Sequence, residues 1–294
     1  MEQNTFKQGM IFALAAYFMW GLAPLYFKAL DGVNSDEILM HRIIWSFVVV
    51  SIIIAASGKL DKVKAIISQP KSIIILLSTS VIIAANWLIF IWAIAQEKLL
   101  EASLGYYINP ILNVLLGVVF LGERLSRLQL VAVMIAVLAV SIPLLMYGAI
   151  PWVSIALAST FGAYGLLRKK VNVDSSSGLF IETCLLLPFA IVYWITLDGS
   201  SSSNLMKNHW DLNLLLLSAG IVTTLPLLAF AAAAVRIPLF ILGFFQYVGP
   251  SLMLLLAVFV FGEPFKEEQG ITFALLWLAL GVFSFDIYKK RIRS

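Results

Sequence analysis

The chain has 294 residues, 61% of them hydrophobic and 12% charged, against about 25% charged in a typical soluble domain. With a mean hydropathy of +0.98, this excludes a water-soluble globular fold and leaves no length for a separate soluble domain between the apolar runs. The net charge of +4 does not point to nucleic acid, because the basic residues sit in short tracts between apolar runs, and the single cysteine, Cys184, excludes an intrachain disulfide framework and a multi-cysteine metal cluster.

A hydrocarbon core about 30 Å thick takes roughly 20 apolar residues per helix. Ten runs meet that length, at 9–30, 36–57, 72–95, 99–121, 128–147, 151–168, 178–197, 212–234, 238–261 and 268–288. Runs this long suit helices and not the short alternating strands of a barrel. The expected class is therefore an all-α polytopic membrane protein of ten transmembrane helices.

Lys7 precedes the first run, and Ala13-Leu14-Ala15 comes too early for a signal-peptidase site, so this run is expected to stay as a span. Between the second and third runs, Leu60, Val63, Ile66 and Ile67 interleave with Lys59, Lys62 and Lys64. That spacing fits either a short helix on an anionic membrane surface or a solvated loop. Trp152, Trp194, Trp210 and Tyr288 fall at run ends, where amphipathic rings anchor in the headgroup layer, and Ser200–Ser203 is a polar linker. If the N-terminus is cytoplasmic, fifteen of the twenty Lys and Arg fall on the cytoplasmic side. Only Lys28, Lys98, Lys207 and Lys266 fall opposite, with Arg42 inside a span. Cytoplasmic loops retain positive charge, so both termini are expected inside.

The chain repeats itself at an offset of 140 residues. Tyr107-Ile108-Asn109-Pro110 matches Tyr247-Val248-Gly249-Pro250, Gly122-Glu123 matches Gly262-Glu263, and Gln129 matches Gln269. A weaker echo joins Ala13-Leu14-Ala15 and Trp20-Gly21 to Ala156-Leu157-Ala158 and Tyr164-Gly165. The halves, 1–148 and 149–294, hold five runs each, and an odd number inverts the second copy in the bilayer. Inverted repeats characterise secondary transporters, whose substrate site lies near the midplane between the copies. Pro110 and Pro250 fall at mid-run in matched places, where each is expected to kink its helix and free carbonyls toward a cavity. The Gly-Glu pairs read as turn and packing devices whose Glu reaches water.

On these residues the sequence resembles the drug/metabolite transporter superfamily of the EamA type, and within it the chloramphenicol-sensitivity permeases. The narrower likeness is carried by Ala15-Ala16-Tyr17-Phe18, Asp36-Glu37-Ile38-Leu39, His41-Arg42, Asn86-Trp87, Glu101-Ala102-Ser103-Leu104-Gly105-Tyr106, Ile181-Glu182-Thr183 and Leu242-Gly243-Phe244-Phe245-Gln246-Tyr247, among others spread along the chain. The resemblance implies a bacterial inner-membrane transporter whose cavity is lined by the first four helices of each repeat, with the fifth peripheral. It does not name the natural cargo.

An ionisable side chain at a helix centre costs at least about 2.5–3.5 kcal/mol, so each embedded one needs a partner or a purpose. Arg42 and His41 lie in the second run and Glu182 in the seventh, and the 140-residue offset maps Arg42 onto Glu182. The expected pairs are Arg42 with Glu101, and Glu182 with Arg168 or Arg236, serving either as alternating gates or as static ties. Proton coupling would rest on Glu182 first. His41, beside Arg42, is expected to be a neutral, satisfied ring.

Trp20, Asn86, Trp87, Tyr106, Tyr107, Asn109, Asn113, Gln246 and Tyr247 are the candidates for substrate contact, since a midplane pocket needs apolar walls with a few oriented polar groups. Packing and hydrogen bonding between helices compete as explanations for each. A pocket of this composition is mostly uncharged and aromatic and suits a small amphipathic or aromatic metabolite or drug. No cofactor or metal is expected. An intramembrane enzyme is the alternative, but the sequence has no His-Glu-x-x-His, phosphate-binding loop or Gly-x-Ser-x-Gly. A membrane scaffold or sensor is the third, with no output domain in view.

Overall fold

The computed structural model describes residues 3–293 except 31, 97, 149, 198–199, 201, 261 and 263–266, and among helical side chains it leaves aside 3, 91, 94, 95, 99–103, 257, 268 and 290–293. The described residues form twelve helices: α1 (Gln3–Ala29), α2 (Ser35–Ala56), α3 (Leu60–Ile67), α4 (Pro70–Ala95), α5 (Leu99–Leu121), α6 (Arg127–Tyr147), α7 (Trp152–Val171), α8 (Ser175–Thr196), α9 (Trp210–Ala234), α10 (Leu239–Phe245), α11 (Val248–Phe259) and α12 (Glu267–Arg293). Among the described residues nine stretches are long and apolar enough to cross a membrane, α10 and α11 counting as one over Leu239–Leu256. α7 has 20 residues but carries Arg168, Lys169 and Lys170 in its last turn and is not among the nine.

Local sequence chemistry sets the ends. α5 stops at Gly122 (φ +64°), whose left-handed backbone a Cβ would oppose, and Gly262, 140 residues on, adopts the same conformation (φ +68°). Ser126 and Gln129 then open α6 with a capping box: the Gln129 N–H donates to Ser126 Oγ at 3.2 Å, and the Ser126 N–H to Gln129 Oε1 at 2.9 Å. The interleaved stretch after α2 is a helix, α3, which buries Val63 and Ile66 and leaves Leu60 and Ile67 exposed.

The matched prolines behave differently. α5 runs through Pro110 without interruption, whereas the ninth run breaks at Gln246-Tyr247 into α10 and α11. Pro250 has no N–H for the carbonyl of Gln246, four residues back, and its ring crowds that carbonyl. The chain there turns to shorter steps, with Gln246 N–H donating to the Gly243 carbonyl at 3.1 Å and Gly249 N–H to that of Gln246 at 3.1 Å. The expectation of two equivalent kinks is thus corrected to one broken helix.

α1 packs on α9 and α11, and α7 packs on α4 and α5; α2 lies against α8 and α9, α8 also against α4, and α5 crosses α10. α6 and α12 pack mainly on each other, at the periphery. Cross-helix contacts define two ends of the bundle. At the α3 end, Lys59 pairs with Asp174 at 3.0 Å, Lys169 with Glu123 at 3.4 Å, and Gly9 meets Ile237. At the opposite, linker end, Ser200 and Ser202 hydroxyls donate to Glu37, Tyr193 donates to Asp36, and Tyr26 Oη donates to the Leu215 carbonyl at 2.8 Å. The side-chain distribution is that of a protein in lipid: Met134, Leu138, Val192 and Ile195 are exposed, while Asn109, Arg168, Glu182 and Thr224 are buried.

Candidate functional site

A cavity of about 240 Å³ lies between the halves, walled by α1, α2, α4, α5, α7, α9 and the α10–α11 junction. Its floor is aromatic. Tyr17, Trp20 and Phe161 line it, with ring centroids of Trp20 5.6 Å from Tyr17 and 5.7 Å from Phe161. Beneath them Phe230 meets Phe161 at 5.2 Å and stacks on Tyr164 at 5.9 Å. Tyr17, Trp20 and Gly21 stand 144 residues before Phe161, Tyr164 and Gly165, and the four aromatics meet around Phe230. Tyr17 and Phe161 were not among the residues expected at a substrate, and this spacing is the signal that could have found them.

Of the nine residues expected at a substrate, Trp20, Asn86, Trp87, Tyr106, Asn109 and Gln246 line the cavity. Tyr107, Asn113 and Tyr247 do not. Tyr106 and Asn109 share one face of α5, and position 107 is turned about 100° from it. The Tyr107 ring packs edge-on against Phe273 of α12 at 5.7 Å, and its carbonyl accepts from Tyr247 Oη at 3.3 Å. Asn113, a turn below Asn109, donates through Nδ2 to Gln246 Oε1 at 3.2 Å, so it acts on the wall through Gln246. Asn86 also ties helices, since its Nδ2 donates to the Leu157 carbonyl at 2.9 Å and to Thr160 Oγ1 at 2.8 Å. The Tyr17 hydroxyl and Asn109 Oδ1 are buried without a hydrogen-bond partner among the described residues. Pro250 lines the cavity and Pro110 does not.

Arg42 is part of the wall, which places a charge in a pocket expected to be mostly uncharged. Its Nε donates to Thr223 Oγ1 at 2.9 Å, and its guanidinium carbon lies 4.8 Å from the Trp87 ring centroid and 5.7 Å from that of Phe27. The side chain of Glu101, its expected partner, lies outside the described residues. His41 is a tie. Trp45 Nε1 donates to its Nδ1 at 3.1 Å, so Nε2 carries the hydrogen and donates to the Ser202 carbonyl at 3.0 Å. A ring with one nitrogen accepting and one donating is neutral.

Toward the α3 end the bundle is filled. Glu182 pairs with Arg168 at 3.6 Å and accepts from Thr79 Oγ1 at 2.6 Å and Tyr164 Oη at 3.4 Å. Arg236, the other expected partner, donates instead to the Ala232 carbonyl at 2.7 Å and lies over Phe12, because the end of α9 carries it away from α8. Glu123, expected to reach water, instead caps α10. Its Oε1 accepts from Leu239 N–H at 2.7 Å and its Oε2 from Phe240 N–H at 3.0 Å, while Lys169 bridges Glu123 and the Ile237 carbonyl. Its repeat partner Glu263 lies outside the described residues. Asp174, just before α8, is subject to burial, which raises a carboxyl. Hydrogen bonds from Ser176, Lys59 and Ser177 outweigh this and hold it well below the usual carboxylate range. Among the described residues no three His, Cys, Asp or Glu side chains cluster as metal ligands.

Residues 7–145 match the model of the EamA-like transporter family. A Vibrio cholerae protein described as an uncharacterized transporter is 53% identical over 97% of this chain and 94% of its own length. The chain belongs to the EamA-like transporter family. Protein RarD of Escherichia coli is 47% identical over the full length of both chains. The chloramphenicol-sensitive protein RarD of Pseudomonas aeruginosa is 34% identical over 95% of this chain and 94% of its own. One solved crystal structure superposes with a TM-score of 0.74 at 16% identity, covering 96% of this chain and 98% of that one, a likeness of fold alone. With its apolar helices, the chain is a multi-pass membrane transporter.

Proposed function

We propose that the chain is a secondary transporter of the bacterial inner membrane which carries a small amphipathic or aromatic solute through the central cavity by alternating access. Ten spans, α7 being the tenth, form two inverted repeats, 1–148 and 149–294, with both termini cytoplasmic. Three features support the repeat. Exchanging the halves turns the α1–α9 packing into α7–α4, and that of α1 on α11 into α7 on α5. It leaves α2–α8, α6–α12 and α5–α10 as they are. Gly122 and Gly262 share one backbone conformation. The excess of Lys and Arg at the α3 end supports the orientation.

The observation that carries the reading is the asymmetry of the cavity. Its lining residues, Phe27, Arg42, Trp87 and Met253 among them, lie from mid-bundle toward the linker end. The α3 end is closed by the aromatic floor, the Arg168–Glu182 pair and the Glu123 cap. In this reading the structure is outward-facing. The Glu123 cap, the Thr79–Glu182 hydrogen bond and the contacts of Trp20 with Phe161 and Phe230 each join one half to the other, so a rocking of one half against the other breaks them together, while the Arg168–Glu182 pair travels within the second half. Protonation of Glu182 would discharge its pair with Arg168, which makes a proton the favoured coupling ion. Chloramphenicol, after which one relative is described, is the first cargo to test.

Counterflow in sealed proteoliposomes tests the reading. Vesicles loaded with unlabelled chloramphenicol are expected to accumulate labelled drug transiently above its outside concentration. Equilibration at the rate of protein-free vesicles, repeated across a panel of amphipathic metabolites, would overturn it.

A further inference from the structure

Among the described residues, Arg42 is the one charged side chain on the cavity wall, and no carboxylate lines the cavity with it. Its guanidinium is fixed on three sides. Thr223 of α9 holds Nε at 2.9 Å, and the Trp87 and Phe27 rings hold the plane. Nη1 and Nη2 have no acceptor among the described residues. A guanidinium whose Nε is committed presents its two terminal nitrogens as a flat fork, which matches the two oxygens of a carboxylate. A cation faced by no anion among the described residues, in a cavity walled by aromatic rings, is also costly, and an anionic guest recovers part of that cost.

We propose that Arg42 receives the carboxylate of the cargo, and that the cargo is an amphipathic organic monocarboxylate whose apolar body lies against Trp20, Trp87 and Phe161. This deepens the transport reading and rests on it. One guanidinium balances one negative charge, so the site favours a monoanion over a polyphosphate or dicarboxylate. The aromatic floor and walls exclude a small hydrated anion, which gains nothing from them. Asn109 Oδ1, buried without a donor among the described residues, accepts from a hydroxyl or amide N–H on the body of the cargo.

The test uses the purified full chain in detergent at neutral pH and three probes of one shape: phenylpropionate, its primary amide and phenylpropylamine. Binding is read by calorimetry and by quenching of tryptophan fluorescence. The carboxylate is expected to bind about tenfold more tightly than the amide, and the amine more weakly than both. Arg42→Gln is expected to lower carboxylate binding to the level of the amide and to leave the amide unchanged. Thr223→Val keeps the charge but frees Nε, and is expected to weaken the carboxylate severalfold with the amide again unchanged, which covers the case in which Arg42→Gln does not fold. Equal affinity of carboxylate and amide for the wild-type chain, retention of the preference in either variant, or no binding of any probe overturns the proposal. Counterflow of uncharged chloramphenicol without a carboxylate preference would sink this inference alone. Loss of all counterflow would sink the transport reading.

Discussion

Arg168 of α7 and Glu182 of α8 form an ion pair at 3.6 Å with side chains 1% and 3% exposed. Thr79 and Tyr164 complete the carboxylate's hydrogen bonds, whereas Arg168 Nε and Nη1 have none among the described residues. The pair therefore sits close to the balance between desolvation and attraction, a state a shift of α7 against α8 can tip.

Removing one partner leaves a buried charge uncompensated. Glu182→Ala is expected to cost about 3–5 kcal/mol of stability, and Arg168→Met with Glu182→Ala less than the two single changes added together. Thermal unfolding in detergent across the four proteins measures the coupling. Additive losses would mean that the two charges do not interact.

The Glu123 cap closes the α3 end by joining α5 to α10. With Cys184, which is exposed, first replaced by Ala, a cysteine at Tyr164 is expected to react slowly with a membrane-impermeant thiol reagent applied at that end. Adding Glu123→Ala removes a cap worth about 1 kcal/mol and is expected to speed the labelling. An unchanged rate would show that Glu123 only shapes the α9–α10 turn.

Close approach of α9 to α2 depends on Gly220, where a Cβ would collide with the backbone carbonyl of Trp45. Neither backbone can yield, so Gly220→Ala is expected to cost about 1–3 kcal/mol. Gly281 of α12 has open space around its missing Cβ. Gly281→Ala is expected to be neutral or to stabilise, by up to about 1 kcal/mol. Melting temperatures in detergent check both, and equal effects would mean that the Gly220 contact is not maintained.

Asp174 supplies a pH dependence. Its carboxyl titrates lower in the folded protein than in the unfolded chain, so its contribution is fully present above the unfolded value of about 3.9 and is lost as pH falls toward the folded one. The melting temperature of the wild-type chain is expected to fall more steeply below about pH 4 than that of Asp174→Asn. Parallel curves would show that the bonds from Lys59, Ser176 and Ser177 do not persist in solution.

The helices were legible because an apolar run in lipid has no option but to bond its own backbone. The runs expected at 36–57 and 99–121 are Ser35–Ala56 and Leu99–Leu121. The pairing of Glu182 within the α3 end was legible too, as was the neutral state of His41, since an embedded charge or ring must find a partner nearby. Three of the site residues were misplaced for one reason. A helix apolar on every side carries no sequence signal for which side faces inward, so Tyr107 and Tyr106 were equivalent until α12 was seen against one and the cavity against the other.

Sequence alone therefore determined that the chain is built of long apolar helices and which few polar groups inside them had to be explained. Tertiary structure decided which of two matched prolines breaks its helix, that Arg168 and not Arg236 meets Glu182, and that Arg42 stands on the cavity wall. Hydropathy records only the transfer of each side chain from water to lipid. The facing of one helix on another is set by close packing and hydrogen bonds between segments far apart in the chain, which no local pattern contains.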